Sequence, residues 1–340
     1  MTVKEAKSIT RSWVDKEAPC IQGFMGAFFH GAVNWLADED TLPAASDIDV
    51  MIVVTDPPPH PLGKFRYGPL LLEVSYLSMS ELRSPEQVLG TFYLAGSFHK
   101  PGIIADTSGW LTTLQQAVAA QYTDAHWIRQ RCSHAQHTAL NFIHALNEHI
   151  PVHDQVTSWL FARGLLAHIL LVAGLQNPTV RKRYVALQQL LEKYQALDLY
   201  EQLLHLSGFD ALTPAAVAQH LAALTAAFDS AAEVIRTPYR FAADISQAAR
   251  SVAIDGSYEL LETGYHREAM FWITATWCRC RHILTQDAPP HIQVQHDAGF
   301  RQLLEELHID SFKNRDRSNR HVIRMMPRVW KMAEKIMERQ

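Results

Sequence analysis

The sequence predicts an α+β protein, with a small sheet-containing domain over residues 1–110 and a larger helical bundle over residues 111–340. Two observations lead to this. Apolar, β-branched runs bounded by glycine and proline lie before about residue 80. Long helical patterns dominate from about residue 110, broken near Pro151, Asn177-Pro178, Gly208, Pro214, Pro238, Asp255-Gly256 and Pro289-Pro290. Such lengths and short connections suit a bundle.

Taken in order, residues 8–19 predict a short helix ending at Pro19. The small, apolar stretch from Gly23 ends at the dyad Gly31-Ala32, and a polar connection with Asp38, Glu39, Asp40 and Pro43 follows. Ser46-Asp47-Ile48-Asp49-Val50-Met51-Ile52-Val53-Val54 reads as a strand, stopped by Pro57-Pro58-Pro59. Lys64-Phe65-Arg66-Tyr67 then turns at Gly68-Pro69 into Leu70–Leu77, a hairpin. In its second strand Glu73 shares a face with Ser75, opposite Leu72, Val74 and Tyr76.

Composition narrows the function classes. A net charge of −4 excludes a polyanion binder acting through overall charge. Four cysteines (Cys20, Cys132, Cys278 and Cys280) are too few for a disulfide framework, and Cys278-Arg279-Cys280 is too close for a Cys-x-x-Cys site. No uninterrupted apolar run reaches the roughly 20 residues that span a bilayer, and Met1–Lys7 lacks the apolar core of a secretion signal. The expectation is a cytoplasmic protein with no membrane partner.

Asp47 and Asp49 carry the chemistry. Two residues apart on a strand, they project from one face while Ile48 and Val50 pack behind. Adjacent buried anions repel and are costly to desolvate unless a cation sits between them. A divalent ion with oxygen ligands, magnesium or manganese, answers that need. The competing view makes both acids solvated strand-start residues and Glu73 an edge-strand charge that blocks aggregation.

The ordered set of Gly31-Ala32, Ser46-Asp47-Ile48-Asp49 and Glu73 resembles the DNA polymerase beta-like nucleotidyltransferase superfamily, closest to its small bacterial, antibiotic-nucleotidyltransferase branch. The resemblance covers roughly residues 20–80. It implies a nucleotidyltransferase mixed β-sheet with helices at the N-terminus, and a helical domain for acceptor binding or interaction. It implies two Mg2+ ions (Mn2+ as a substitute) held by Asp47, Asp49 and Glu73, with Glu73 also accepting the proton. An NTP is the co-substrate, gripped at Gly31, Ala32 and Ser46, and the acceptor is a hydroxyl, on a small molecule or, in toxin-like relatives, on protein or RNA. Ala32 departs from the family's Gly-Ser dyad, so a hydroxyl contact to the phosphates is missing. A non-catalytic nucleotide-binding protein is the reading Ala32 supports.

Further along, Arg181, Lys182 and Arg183 open a helical pattern, where cations oppose the helix macrodipole. Arg181 and Lys182 are therefore candidate phosphate ligands, against a solvated turn neutralised by Glu192 or another helix. His134, His137, Asn141, His144 and Glu148 share one helix face, an exposed polar face or, with Cys132, a zinc site. Glu262, His266 and Glu268 lie among aromatics that could line an acceptor pocket or simply pack. Residues 313–340 hold nine Lys/Arg against three Asp/Glu. Their helical spacing gives a basic stripe for nucleic acid, or solvated cations on a helix docked by its apolar side. Pro327 kinks that helix or starts a new one.

Overall fold

The computed structural model describes residues 1–340. The chain is α+β, with a five-stranded mixed sheet in the N-terminal part and helices after it. It divides into two compact units: residues 1–131 with a returning segment, 238–244, and residues 132–237 with 245–340. The expected border at 110 coincides with the first residue of a helix inside the first unit.

In the first unit the strands are β1 (Phe24–His30), β2 (Ile48–Val54), β3 (Gly63–Tyr67), β4 (Leu70–Ser78) and β5 (Ile103–Asp106), in spatial order β3-β4-β2-β1-β5. Only β2 and β4 run parallel. Strand alternation sorts the side chains. Ile48, Val50, Ile52, Leu72 and Val74 pack with Val3, Ala6, Trp13 and Val14 of α1 (Val3–Glu17). Phe28, Val53 and Leu77 pack on the opposite face with α2 (Pro85–Gly90), α3 (Ala95–Phe98) and α4 (Trp110–Gln121). By parity, Asp49 and Glu73 belong to this second face. β4 lies between β3 and β2, so Glu73 is not an edge-strand charge.

Helix α1 starts earlier than residue 8 because Thr2 and Glu5 form a capping box. The Glu5 N–H donates to Thr2 Oγ1 at 3.2 Å and the Thr2 N–H to Glu5 Oε2 at 2.8 Å. β5 was not expected from the sequence; it closes the sheet edge beside β1.

Helix α5 (Ala125–Ala145) crosses the border between the units. The second unit continues with α6 (Val152–Ala173), α7 (Arg183–Lys193), α8 (Leu197–Leu206), α9 (Pro214–Val234), α10 (Gly256–Glu262), α11 (His266–Asp287), α12 (Pro290–Glu306) and α13 (Phe312–Met337). Helix α6 is long and apolar enough to cross a membrane by composition, but 89% of its apolar window is buried. It packs on α7, α11 and α13, and is the unit's core helix.

Three expectations about this unit are settled by the helix boundaries. Asp255-Gly256 does not interrupt the chain, because a π-helical turn at Ser251–Asp255 runs straight into α10 with Gly256 in helical geometry. Arg181 and Lys182 precede α7 rather than opening it. Pro327 starts no new helix, since α13 runs through it. The apolar side of α13 (Val322, Met326, Val329, Ala333, Ile336) is buried, while Arg317, Arg324, Lys331 and Lys335 are exposed.

Candidate functional site

The parallel pairing of β2 with β4 sets Asp49 directly beside Glu73. Asp47 comes one residue before β2 and shares Asp49's parity. One carboxylate oxygen from each of Asp47, Asp49 and Glu73 lies within 4.8 Å of the other two. The three acids singled out in the sequence are thus one cluster.

Two further residues join it that sequence reasoning did not single out. In the hairpin, Lys64 pairs with Glu73 across β3 and β4. Its ammonium hydrogen-bonds Glu73, lies 2.7 Å from Asp47 Oδ2, and lies 3.2 Å from Asp244 Oδ1. The Lys64 side chain is only 5% exposed. Asp244 ends the returning segment 238–244, in a 3-10 turn at Ala242–Asp244. That segment comes close because residue 63 is glycine: a Cβ there would stand 2.3 Å from Ala243 Cβ, at φ +70°.

Four carboxylates facing one lysine shape the proton affinities. Burial opposes the Lys64 charge, but Asp47, Glu73, Asp244 and Asp49 outweigh it and hold the ammonium well above the ordinary lysine range. Burial also pushes Asp47 upward, yet the charge and hydrogen bond of Lys64 leave it below the usual carboxylate value. Asp49 goes the other way, driven well above that value by burial, then by Asp47 and Glu73. Glu73 is raised too, by burial with Asp244 and Asp47, against the pull of Lys64. The cluster is therefore short of positive charge, most of all at Asp49.

Gly31 has a tight geometric reason. Its φ is +63°, and a Cβ would fall 2.0 Å from Asp49 Oδ2. The close approach the sequence suggested is made to a carboxylate of the cluster. Gly31→Ala is expected to cost about 1–3 kcal/mol from the left-handed backbone alone, and to displace Asp49 as well; urea unfolding read together with Mn2+ affinity checks both. Ala32 is exposed in the 3-10 turn Gly31–Asn34, its carbonyl accepting from the Trp35 N–H at 2.9 Å. Ser46 sits in the approach to β2, its N–H bonded to the Pro43 carbonyl. His30, opposite Asp49 on β1, shares a 2.6 Å hydrogen bond between Nδ1 and Ser97 Oγ, and burial lowers its pKa to about 4.

Arg181 and Lys182 belong to the other unit and are engaged there. Arg181 donates to the Val252 carbonyl at 3.3 Å, and Lys182 lies 3.8 Å from Glu259 of α10. Arg183 is buried, its guanidinium carbon 3.7 Å from the centre of the Phe271 ring. His137 and His144 on α5 are exposed, and the α5 histidines form no group of metal-ligating atoms with their neighbours. Glu268 is buried and accepts from the Tyr200 hydroxyl, while Arg267 pairs with Glu201 at 2.8 Å.

No protein-family model matches the chain, and no curated protein matches it in sequence.

Proposed function

We propose that the first unit is a divalent-metal-dependent nucleotidyltransferase, moving a nucleoside monophosphate from an NTP to a hydroxyl on a small molecule. The observation that carries the reading is the convergence of Asp47, Asp49 and Glu73 within 4.8 Å on neighbouring strands, with too little positive charge around them. The donor set fits the ion: oxygen-only, anionic and clustered, as Mg2+ or Mn2+ prefers. Bound there, two such ions would activate the acceptor oxygen and stabilise charge on the departing pyrophosphate.

The chain's own residues then have distinct tasks. Asp47 and Asp49 would hold the ions from one strand face, and Gly31 leaves Asp49 the room that would require. The acceptor oxygen attacks the α-phosphorus, the bond to pyrophosphate breaks, and the hydroxyl proton passes to Glu73. Lys64 limits the repulsion among the four acids and keeps them in place. On this reading the protein works where NTPs are found, in the cytoplasm.

Pyrophosphate release with each NTP and a panel of polyhydroxylated acceptors tests the reading. Turnover by the wild type that disappears in Asp47→Ala/Asp49→Ala supports it; turnover that survives in the double variant contradicts it. A second reading has an observation of its own. Lys64 reaches three of the acids and could make the cluster a purely structural ion network, in a protein that binds nucleotide without turning it over. Stabilisation by ATP without a divalent ion, unaltered in the double variant, would favour that reading. A macromolecular acceptor is supported by the exposed cations of α13. Under the small-molecule reading, turnover is expected to stay within about twofold when Arg317, Arg324, Lys331 and Lys335 are neutralised, because single surface changes away from a site are nearly neutral.

A further inference from the structure

A second set of metal-ligating side chains lies wholly inside the helical unit. His153 and Asp154 stand in the first turn of α6, and His282 stands on α11, which packs against it. One ligand atom from each lies within 4.8 Å of the other two. The two imidazole rings meet edge to face, with centroids 5.3 Å apart and planes at 89°.

His153 supplies an independent observation. Its side chain is 7% exposed, and its Nε2 is buried with no hydrogen-bond partner. The nearest charged oxygen, Asp154 Oδ2, is 3.8 Å away, beyond hydrogen-bond reach. A buried ring nitrogen left this way needs an explanation, and a bound ion is one of the few available. A neutral imidazole offers a lone pair at such a nitrogen, the form in which histidine ligates a metal. The charge of Arg281, beside His282, reaches His153 but is offset by its pairing with Asp297 at 2.6 Å, and its guanidinium also donates to the Gln293 carbonyl at 3.3 Å.

We infer that His153, Asp154 and His282 form a binding site for a zinc-class divalent ion that joins α6 to α11. Two imidazoles and one carboxylate suit Zn2+ or Co2+, whereas Mg2+ and Ca2+ take oxygen. Three protein ligands leave a fourth position for water, on the side where Asp154 is half exposed. Asp154 can close the remaining gap by changing rotamer, since its side chain is free to move at the surface. It also offsets the positive end of the α6 macrodipole, which would otherwise repel a cation. Cys278, one turn earlier on α11, is not counted as a ligand because its sulfur lies outside the group of mutually close ligand atoms.

Titration of the full-length chain with Co2+ tests this site separately from the acidic cluster on the sheet. The expected result is a set of tetrahedral Co2+ absorption bands, abolished by stoichiometric Zn2+. These bands should persist in Asp47→Ala/Asp49→Ala, be lost in His282→Gln, and weaken on the order of tenfold or more in Asp154→Asn. Asp154→Asn changes a half-exposed residue, so it keeps the test valid if His282→Gln fails to fold; circular dichroism checks both. Absence of the bands in the folded wild type, or bands of equal strength in folded Asp154→Asn, overturns the inference.

Discussion

Replacing Lys64 with methionine is expected to lower the stability of the sheet unit by about 3–5 kcal/mol, the usual cost of removing one partner from a buried charge set. Methionine keeps most of the buried stem, so loss of packing contributes little. What remains is Asp47, Glu73 and Asp244 without the ammonium that reaches all three. Two companion measurements separate charge from packing. Adding Glu73→Gln to Lys64→Met should recover part of the loss, because it removes one of the stranded anions. Millimolar Mg2+ should recover part of it in Lys64→Met alone, since a bound cation stabilises the state that holds it. Urea midpoints in EDTA and in Mg2+ give all of these values. A loss below about 1 kcal/mol would mean that the cluster tolerates its own repulsion.

Asp49→Asn is expected to move activity and stability in opposite directions. Turnover should fall on the order of 10³-fold, about 4 kcal/mol on the barrier, because a ligand to the ions is lost. In metal-free buffer the same change should stabilise the fold, since the amide replaces a carboxyl that is costly to ionise where it sits. The pH dependence has a definite sign. Burial, Asp47 and Glu73 raise the Asp49 pKa in the folded chain, so the folded state binds more protons than the unfolded state above about pH 4. This carboxyl's contribution is fully present below its unfolded pKa and is lost as pH rises through its folded value. The advantage of Asp49→Asn over wild type should therefore grow as pH rises above about 4 in EDTA. Asp47, lowered by Lys64, behaves conversely: its contribution is present above its unfolded pKa and is lost as pH falls through the folded one. Thermal melts from pH 4 to 8 in EDTA record both trends, and a gap that shrinks with rising pH would be the wrong sign.

The acid trio was legible because local rules suffice to place it. Strand alternation puts Asp47 and Asp49 together, and a strand neighbouring β2 brings up Glu73. Lys64 was also within reach of the sequence. A two-residue connection at Gly68-Pro69 sets Tyr67 against Leu70, and counting back along the hairpin sets Lys64 against Glu73, the register observed. Asp244 had no such signal, being 171 residues beyond Glu73 and delivered by a return of the chain. Helix ends were readable at prolines and at Gly208, and were missed where the chain turns on other residues. Gln195 and His308 separate α7 from α8 and α12 from α13 with φ of 54° and 57°. That left-handed cap is usually made by glycine, so the sequence carried no mark of it. The buried arginines Arg131, Arg163 and Arg315 were equally silent. Each is satisfied by carbonyls or amides brought together by tertiary packing, as Arg131 is by the carbonyls of Leu89 and Tyr122.

Mn2+ binding followed by electron paramagnetic resonance, with and without a non-hydrolysable NTP, probes the acid trio without any knowledge of the acceptor. Mn2+ is expected to bind the sheet unit, more tightly with the nucleotide, in competition with Mg2+, and this binding should be lost in Asp49→Asn while His282→Gln leaves it unchanged. Mn2+ that fails to bind the folded wild type, or binds Asp49→Asn equally well, would contradict the assignment of Asp47, Asp49 and Glu73 as a metal centre.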